Sequence, residues 1–201
     1  MRSEANVPAR NRAVFLDRDG VLIEDVGLLT AASQIRILEG APLALRRCKE
    51  AGFHLLVVSN QTVIARGLAT EAEVEKINAA INQRLIQAGA PPIERFYVCP
   101  HHPNATLPAY RADCQCRKPR PGLFLSGVAD FALDPGASFA VGDRMTDIVA
   151  GAKAGCRTVL VRTGQHLAPQ IESPEPMEPA IQPDWTCANL PEAAEWILSR
   201  P

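Results

Sequence analysis

No stretch of this chain approaches the roughly 20 consecutive apolar residues that cross a bilayer as a helix, so a helical membrane span is not expected. Residues 1–12 carry Arg2, Glu4, Arg10 and Arg12 and lack the apolar core of a secretory signal. A cytoplasmic location is therefore expected, where thiols stay reduced. Neither sign of charge is in excess: 21 basic against 22 acidic side chains leave a formal net charge of -1. That balance excludes a global field attracting nucleic acid or an anionic membrane. A phosphate-binding protein of this kind must gather its positive charge locally. There is no internal repeat. What remains is an ordinary globular composition, 47% hydrophobic and 21% charged over 201 residues. Such a chain can bury a core without disulfides, and residues 1–201 are expected to form a single domain.

Apolar runs alternate with helical patterns. Ala13 to Leu16 stops on Asp17, with Gly20 close behind. Phe53 to Val58 ends in Ser59 and Asn60, and Arg95 to Cys99 and Ser138 to Val141 also read as strands. Thr158 to Arg162 is a fifth strand, and Asp184 to Asn189 an edge strand. Between them lie helical segments at Pro42 to Ala51, Pro121 to Phe131 and Thr146 to Ala154, and Leu190 to Leu198 closes the chain. Thr70 and Glu73 have capping-box spacing ahead of Val74, Ile77, Ile81 and Leu85. Strands alternating with helices imply an open α/β sheet of parallel strands, Rossmann-like, covered on both faces. The Pro- and Glu-rich segment from Pro169 to Pro183 reads as a loop or linker.

The polar residues fall at strand ends. Asp17, Ser59 and Asp143 each end or follow an apolar strand, and the carboxyl ends of strands line the crevice of such sheets. Asp17 and Asp19 place two carboxylates in a tight turn. Like charges this close raise one another's pKa unless a cation intervenes, and a hard divalent ion such as Mg2+ suits oxygen ligands. The plainer reading is a turn with two solvated aspartates. Ser59, Asn60 and Gln61 offer a hydroxyl and amides for phosphate oxygens, or else a polar strand-to-loop transition. Arg117 and Lys118 put two cations before a helix, a pair that usually faces solvent. Gly142-Asp143 leads to Asp147 one helical turn later, where an acid can support a metal shell or simply favour a helix N-terminus.

In this order the four motifs resemble the haloacid dehalogenase superfamily of phosphotransferases, over roughly Ala13 to Thr163. The resemblance implies Asp17 as nucleophile and Asp19 as general acid and base. It implies Mg2+ held by Asp17, the backbone carbonyl of Asp19, and Asp143, with Ser59 and Lys118 on the transferring phosphoryl group.

Cys99, His101, Cys114 and Cys116 form a C-x-H plus C-x-C set, enough for a closed tetrahedral Zn2+ site of structural type. Such a site would pin an otherwise irregular loop over 99–116. The alternative is reduced buried cysteines beside unrelated histidines. His102 is expected on the substrate side or at the surface, His54 in the core, and Cys48, Cys156 and Cys187 in the core. His166 receives no role.

The segments from Phe15 to Val21, Ser59 to Gly67, Cys99 to Pro103 and Cys114 to Pro119 are similar to the D-glycero-D-manno-heptose 1,7-bisphosphate 7-phosphatases. The histidinol-phosphate phosphatases share the zinc loop. This resemblance implies a compact monomer without a large cap domain, acting on a small phosphorylated sugar. Arg117 and Arg144 would recognise substrate, Asp25 and Gly27 would lie on the entrance loop, and Asn60, Gln61 and Thr62 beside the phosphate. Val63 stands where the heptose family typically has Gly, Leu28 where an aromatic is common, and Arg144 where Lys is usual. Competing readings are a phosphatase for histidinol phosphate or another small metabolite, a polynucleotide end phosphatase, which the net charge disfavours, and a zinc-stabilised binding module with a degenerate site.

Overall fold

The computed structural model describes residues 11–164 and 181–200. Expectations for the N-terminal residues 1–10, for His166 and for most of the Pro-rich segment (169–180) lie outside the described residues. Six strands form one sheet: β1 (Arg12–Leu16), β2 (Phe53–Asn60), β3 (Arg95–Cys99), β4 (Phe139–Gly142), β5 (Arg157–Val161) and β6 (Trp185–Cys187). Their order is β3-β2-β1-β4-β5-β6, and every pairing is parallel. The chain builds outward from β1 in one direction, then returns to add β4 on its other side. The order reverses between β1 and β4, the place at which sheets of this kind bind ligands.

Parallel strands must be joined by crossovers; helices lie in those from β1 through to β5, and one more follows β6. They are α1 (Ala41–Glu50), α2 (Thr62–Ala65), α3 (Glu71–Gln87), α4 (Gly122–Asp130), α5 (Met145–Lys153) and α6 (Leu190–Leu198). Alternation along the strands divides the core into two layers. Val14 and Leu16 of β1, with Leu55 and Val57 of β2, pack against Leu45 of α1, Ile77 and Ile81 of α3, and Ile197 of α6. Ala13, Phe15, Leu56 and Val58 point the other way, onto Leu123 and Phe124 of α4 and Ala150 of α5. Cys48 belongs to the first layer with Cys187, and Cys156 to the second, as expected for buried thiols. No inserted cap domain interrupts the described residues, and no helix among them is long and apolar enough to cross a membrane.

The capping box is present: Thr70 Oγ1 accepts from Glu73 N at 3.2 Å, and Glu73 Oε2 accepts from Thr70 N at 2.7 Å. Asn189 starts α6 in a similar way, accepting from Glu192 N at 3.0 Å. Ser138 sits just outside β4, where its hydroxyl ties the start of β1 to the turn before β4. Its Oγ accepts from Ala13 N at 3.0 Å and donates to Asp134 O at 2.8 Å. The single turn of α2 had no periodic signal and went unforeseen. His54 is half-buried rather than in the core. The β2–β3 register starts at Leu56 opposite Arg95, so His54 projects past the end of β3, where Glu94 meets its Nδ1 at 2.7 Å.

Burial alone would raise the pKa of Glu94, but hydrogen bonds from Lys49, His54 and Leu55 N outweigh it and hold the carboxyl below its usual 4.5. A carboxyl with a depressed folded pKa contributes stability above its unfolded pKa and loses it as pH falls through the folded value. Urea midpoints at pH 7 and pH 3 should therefore converge for wild type and Glu94→Gln at the acid end, with wild type more stable only at pH 7.

Candidate active site

The chain leaves β1 at Asp17, whose N–H still donates across the sheet to Val141 O of β4 at 2.9 Å. It leaves β4 at Asp143, and α5 begins so that Asp147 lies in its first turn. The switch in strand order thus sets acids from two adjacent strands side by side. Carboxylate oxygens of Asp17, Asp143 and Asp147 all lie within 4.8 Å of one another, and all three residues are buried. Asp143 is 1% exposed and Asp147 2%. Two glycines allow this approach. Gly20 has φ +77°, and a Cβ there would stand 2.6 Å from Asp143 Oδ2; a Cβ on Gly142 would collide with Asp147.

Lys118 reaches this cluster from the loop before α4. Its Nζ lies 3.0 Å from Asp17 Oδ1 and 2.5 Å from Asp147 Oδ1, and donates to Val58 O at 2.8 Å. Asn60, at the end of β2, fixes the lysine's backbone from both sides: Lys118 N donates to its Oδ1 and its Nδ2 donates to Lys118 O, each at 3.1 Å. Complete burial would push the ammonium pKa down, but the Asp147 and Asp17 carboxylates override it and the amine is held above its ordinary value. Burial raises the Asp147 carboxyl, to about 6, against the pull of Lys118. Three buried carboxylates around one ammonium leave an excess of negative charge and oxygen donors. That donor set fits a hard divalent cation such as Mg2+.

Asp19 does not bring its side chain into this cluster. It is turned toward Arg18 and Gln61: Arg18 Nε donates to Asp19 Oδ2 and Nη2 to Oδ1, both at 3.1 Å, and Gln61 Nε2 donates to Oδ2 at 3.0 Å. Burial raises the Asp19 pKa, the Arg18 charge opposes this, and the nearby Asp17 charge adds to the rise. The third side chain of the acid cluster is instead Asp147, which the sequence left between a supporting role and a helix-end acid. Its signal was its position four residues after Asp143, about one helical turn. Arg18, in the middle of the motif, carried no expectation at all.

The other expected residues each make contacts within the protein or open a helix. Ser59 is buried and its Oγ accepts from Gln61 Nε2 at 2.8 Å. Thr62 opens α2 immediately beyond. Asn60 and Gln61 both have their side-chain amides engaged by protein groups. Arg144 Nη2 meets Asp25 Oδ2 at 3.2 Å, and Asp25 Oδ1 accepts from Gly27 N at 2.8 Å, joining the loop between β1 and α1 to the motif after β4. Arg117 Nη1 donates to His101 O at 3.2 Å.

Beside Arg117, the four expected soft ligands converge. Sγ–Sγ separations are 3.6 Å for Cys99–Cys114, 3.2 Å for Cys99–Cys116 and 3.1 Å for Cys114–Cys116, and His101 Nδ1 is 3.4 Å from Cys116 Sγ. Around zinc, with Zn–S about 2.3 Å, tetrahedral edges run to about 3.8 Å. The spacings and the Cys3His composition suit that ion. Hydrogen bonding between Cys99 and Cys116 drives their pKa values apart, Cys99 up and Cys116 down, as in a group of thiols sharing too few protons. His102 is not part of the cluster and is buried rather than at the surface, its Nδ1 accepting from Asn104 N at 3.0 Å.

The HAD-hydrolase-like family matches residues 115–193. The D-glycero-beta-D-manno-heptose-1,7-bisphosphate 7-phosphatase of Escherichia coli is 38% identical over 185 residues, covering 90% of this chain and 93% of its own. The D-glycero-D-manno-heptose-1,7-bisphosphate 7-phosphatase of Chlorobaculum tepidum is 34% identical over 197 residues, covering 94% and 96%. Among solved structures, the D,D-heptose 1,7-bisphosphate phosphatase of B. bronchiseptica, complexed with magnesium and phosphate, superposes with a TM-score of 0.77 at 29% identity, covering 93% of this chain and 98% of that one. With strand-end acids, buried lysine and Cys3His cluster all present in that framework, the chain belongs to the heptose-bisphosphate phosphatase family of haloacid dehalogenase-type hydrolases.

Proposed function

We propose that this chain is a Mg2+-dependent phosphatase that hydrolyses a sugar phosphate monoester, with the 7-phosphate of D-glycero-D-manno-heptose 1,7-bisphosphate as its substrate. The observation that carries this reading is the buried acid cluster of Asp17, Asp143 and Asp147 with Lys118 in its midst. The substrate follows from the relatives, whose names state it.

Asp17 is the nucleophile. Its carboxylate oxygen attacks phosphorus, the bond from phosphorus to the sugar oxygen breaks, and that oxygen takes a proton from Asp19. Asp19, now a carboxylate, then takes a proton from a water that attacks the same phosphorus. The Asp17–phosphorus bond breaks, inorganic phosphate leaves, and both acids return to their starting states. Lys118 and Ser59 hold the phosphoryl oxygens, so that most of the rate comes from position and charge. Asp17, the backbone carbonyl of Asp19, and Asp143 would hold Mg2+, with Asp147 beside them. When bound, the ion neutralises negative charge on the phosphoryl group in flight.

Arg117, Arg144, Asp25, Gly27, Asn60, Gln61 and Thr62 form the substrate side of the site. Cys99, His101, Cys114 and Cys116 would hold a structural Zn2+, which leaves no coordination position open for chemistry. Residues 1–201 act as one domain, with the zinc loop over 99–116, as a cytoplasmic monomer with neither nucleic acid nor membrane as partner. The net charge of -1 supports the exclusion of polyanions.

Asp17→Asn is nearly isosteric and should fold normally while losing turnover by about 10⁴-fold or more; a variant that turns over normally refutes the nucleophile. In a panel of heptose bisphosphate, histidinol phosphate and a nucleotide end, the heptose 7-phosphate should give the highest kcat/KM. A preference for histidinol phosphate would move the chain to the sister activity. Cys114→Ser should lose bound zinc by elemental analysis and raise KM by about tenfold or more. Wild-type protein free of zinc would remove that part of the proposal.

A further inference from the structure

An arginine side chain ordinarily extends its charged head into water. Arg18 does the opposite: it is 1% exposed, among the largest fully buried side chains of the protein, and its neighbours are polar. Besides the two bonds to Asp19, its Nη2 donates to Gln61 Oε1 at 2.8 Å and its Nη1 to Asn78 Oδ1 at 3.1 Å. The fork therefore ties three elements together: the turn after β1, the exit of β2, and α3. The last is anchored to the sheet by Ile77 and Ile81 on either side of Asn78.

The contacts also fix the amide of Gln61. Its Oε1 faces a donor, Arg18 Nη2, so its Nε2 must face Asp19 Oδ2 and Ser59 Oγ, as it does at 3.0 and 2.8 Å. Both oxygens of Asp19 are thus held in a plane set by a buried guanidinium that is itself bonded to Gln61 and Asn78. Lysine, a point charge on a flexible stem, reproduces neither the fork nor the plane.

We infer that Arg18 is a positioning residue for the reaction, a buried strut that orients the Asp19 carboxylate, through direct contact and through Gln61, for proton transfer to and from phosphate ester and water. The inference rests on the proposed role of Asp19. Misplacing a reacting group by about 1 Å costs about 10²-fold in rate, and that loss should depend on how much each step needs a proton. A p-nitrophenolate leaves with the bonding pair and needs no proton, whereas the sugar oxygen does. The hydrolysis of the aspartyl-phosphate needs Asp19 to take a proton from water in both cases.

The test is rapid-mixing kinetics of Arg18→Met with p-nitrophenyl phosphate and with an alkyl phosphate, in saturating Mg2+. The expected result is a burst of about one p-nitrophenolate per active site, then steady turnover about 10²-fold below wild type. With the alkyl ester, the loss should be larger and without a burst. Arg18→Lys should restore part of the rate. Equal losses on both esters without a burst, or wild-type kinetics, overturn the inference and leave Arg18 as packing. If Arg18→Met does not fold by circular dichroism, Asn78→Ala, which frees one arm of the fork, replaces it. That variant should show the same ester dependence at about tenfold, and equal losses again overturn the inference. Asp19→Asn separates the two levels: it should give the same burst followed by a still slower steady phase, and ordinary turnover there overturns the role of Asp19 itself.

Discussion

The repulsion among three buried carboxylates is the constraint around which the crevice is arranged. Even at 4.8 Å, the outer limit of their spacing, a pair repels by about 3.5 kcal/mol at an effective dielectric near 20. Burial adds to the cost of each charge. A chain would not gather Asp17, Asp143 and Asp147 unless something else held them and something positive offset them. The sheet does the holding, since the tips of β1 and β4 are adjacent by hydrogen-bonded register. Lys118 offsets part of the charge, and the remainder is what a divalent ion would complete.

The same constraint explains why so much polar scaffolding is buried nearby. A lysine placed to touch two acids must have a fixed backbone, and Asn60 supplies that by bonding Lys118 at both its N–H and its carbonyl. The Cys3His cluster works on the same segment from the other end, because Cys116 is two residues from Lys118. It is coupled to the opposite wall as well, since Gln61 N donates to Cys99 O at 2.8 Å. Gln61 in turn carries contacts to Asp19, Ser59 and Arg18. The loop that binds soft ligands and the turn that carries hard ones are thus parts of one hydrogen-bonded frame.

Much of this was legible in the sequence because strand ends and caps leave local marks. Apolar runs stopping on Asp17, Ser59 and Asp143 placed those residues at the right sheet edge, and Thr70 with Glu73 located the start of α3. The soft-ligand set could be read from spacing alone. What escaped were properties that depend on tertiary neighbours. The place of β4 beside β1 is written nowhere in local pattern, yet it decides which acids meet. Arg18 carried no signal because its partners, Gln61 and Asn78, are 43 and 60 positions away. His54 looked like a core residue because the staggered start of β3 is invisible until the register is known.

The strand order has a consequence for how the chain is made. β1 precedes the other described strands in the chain, yet it lies in the middle of the sheet, with β4 as one neighbour. The contact from Ala13 N to Ser138 Oγ spans 125 positions, so one flank of β1 must wait until β4 has emerged. Long-range pairing of this kind is slow and leaves apolar edges uncovered in the meantime. A nascent chain halted before β4 would carry Asp17 and Lys118 without Asp143 or Asp147. The late arrival of one strand therefore couples completion of the hydrophobic layer to completion of the acid cluster, and a truncated product would lack both.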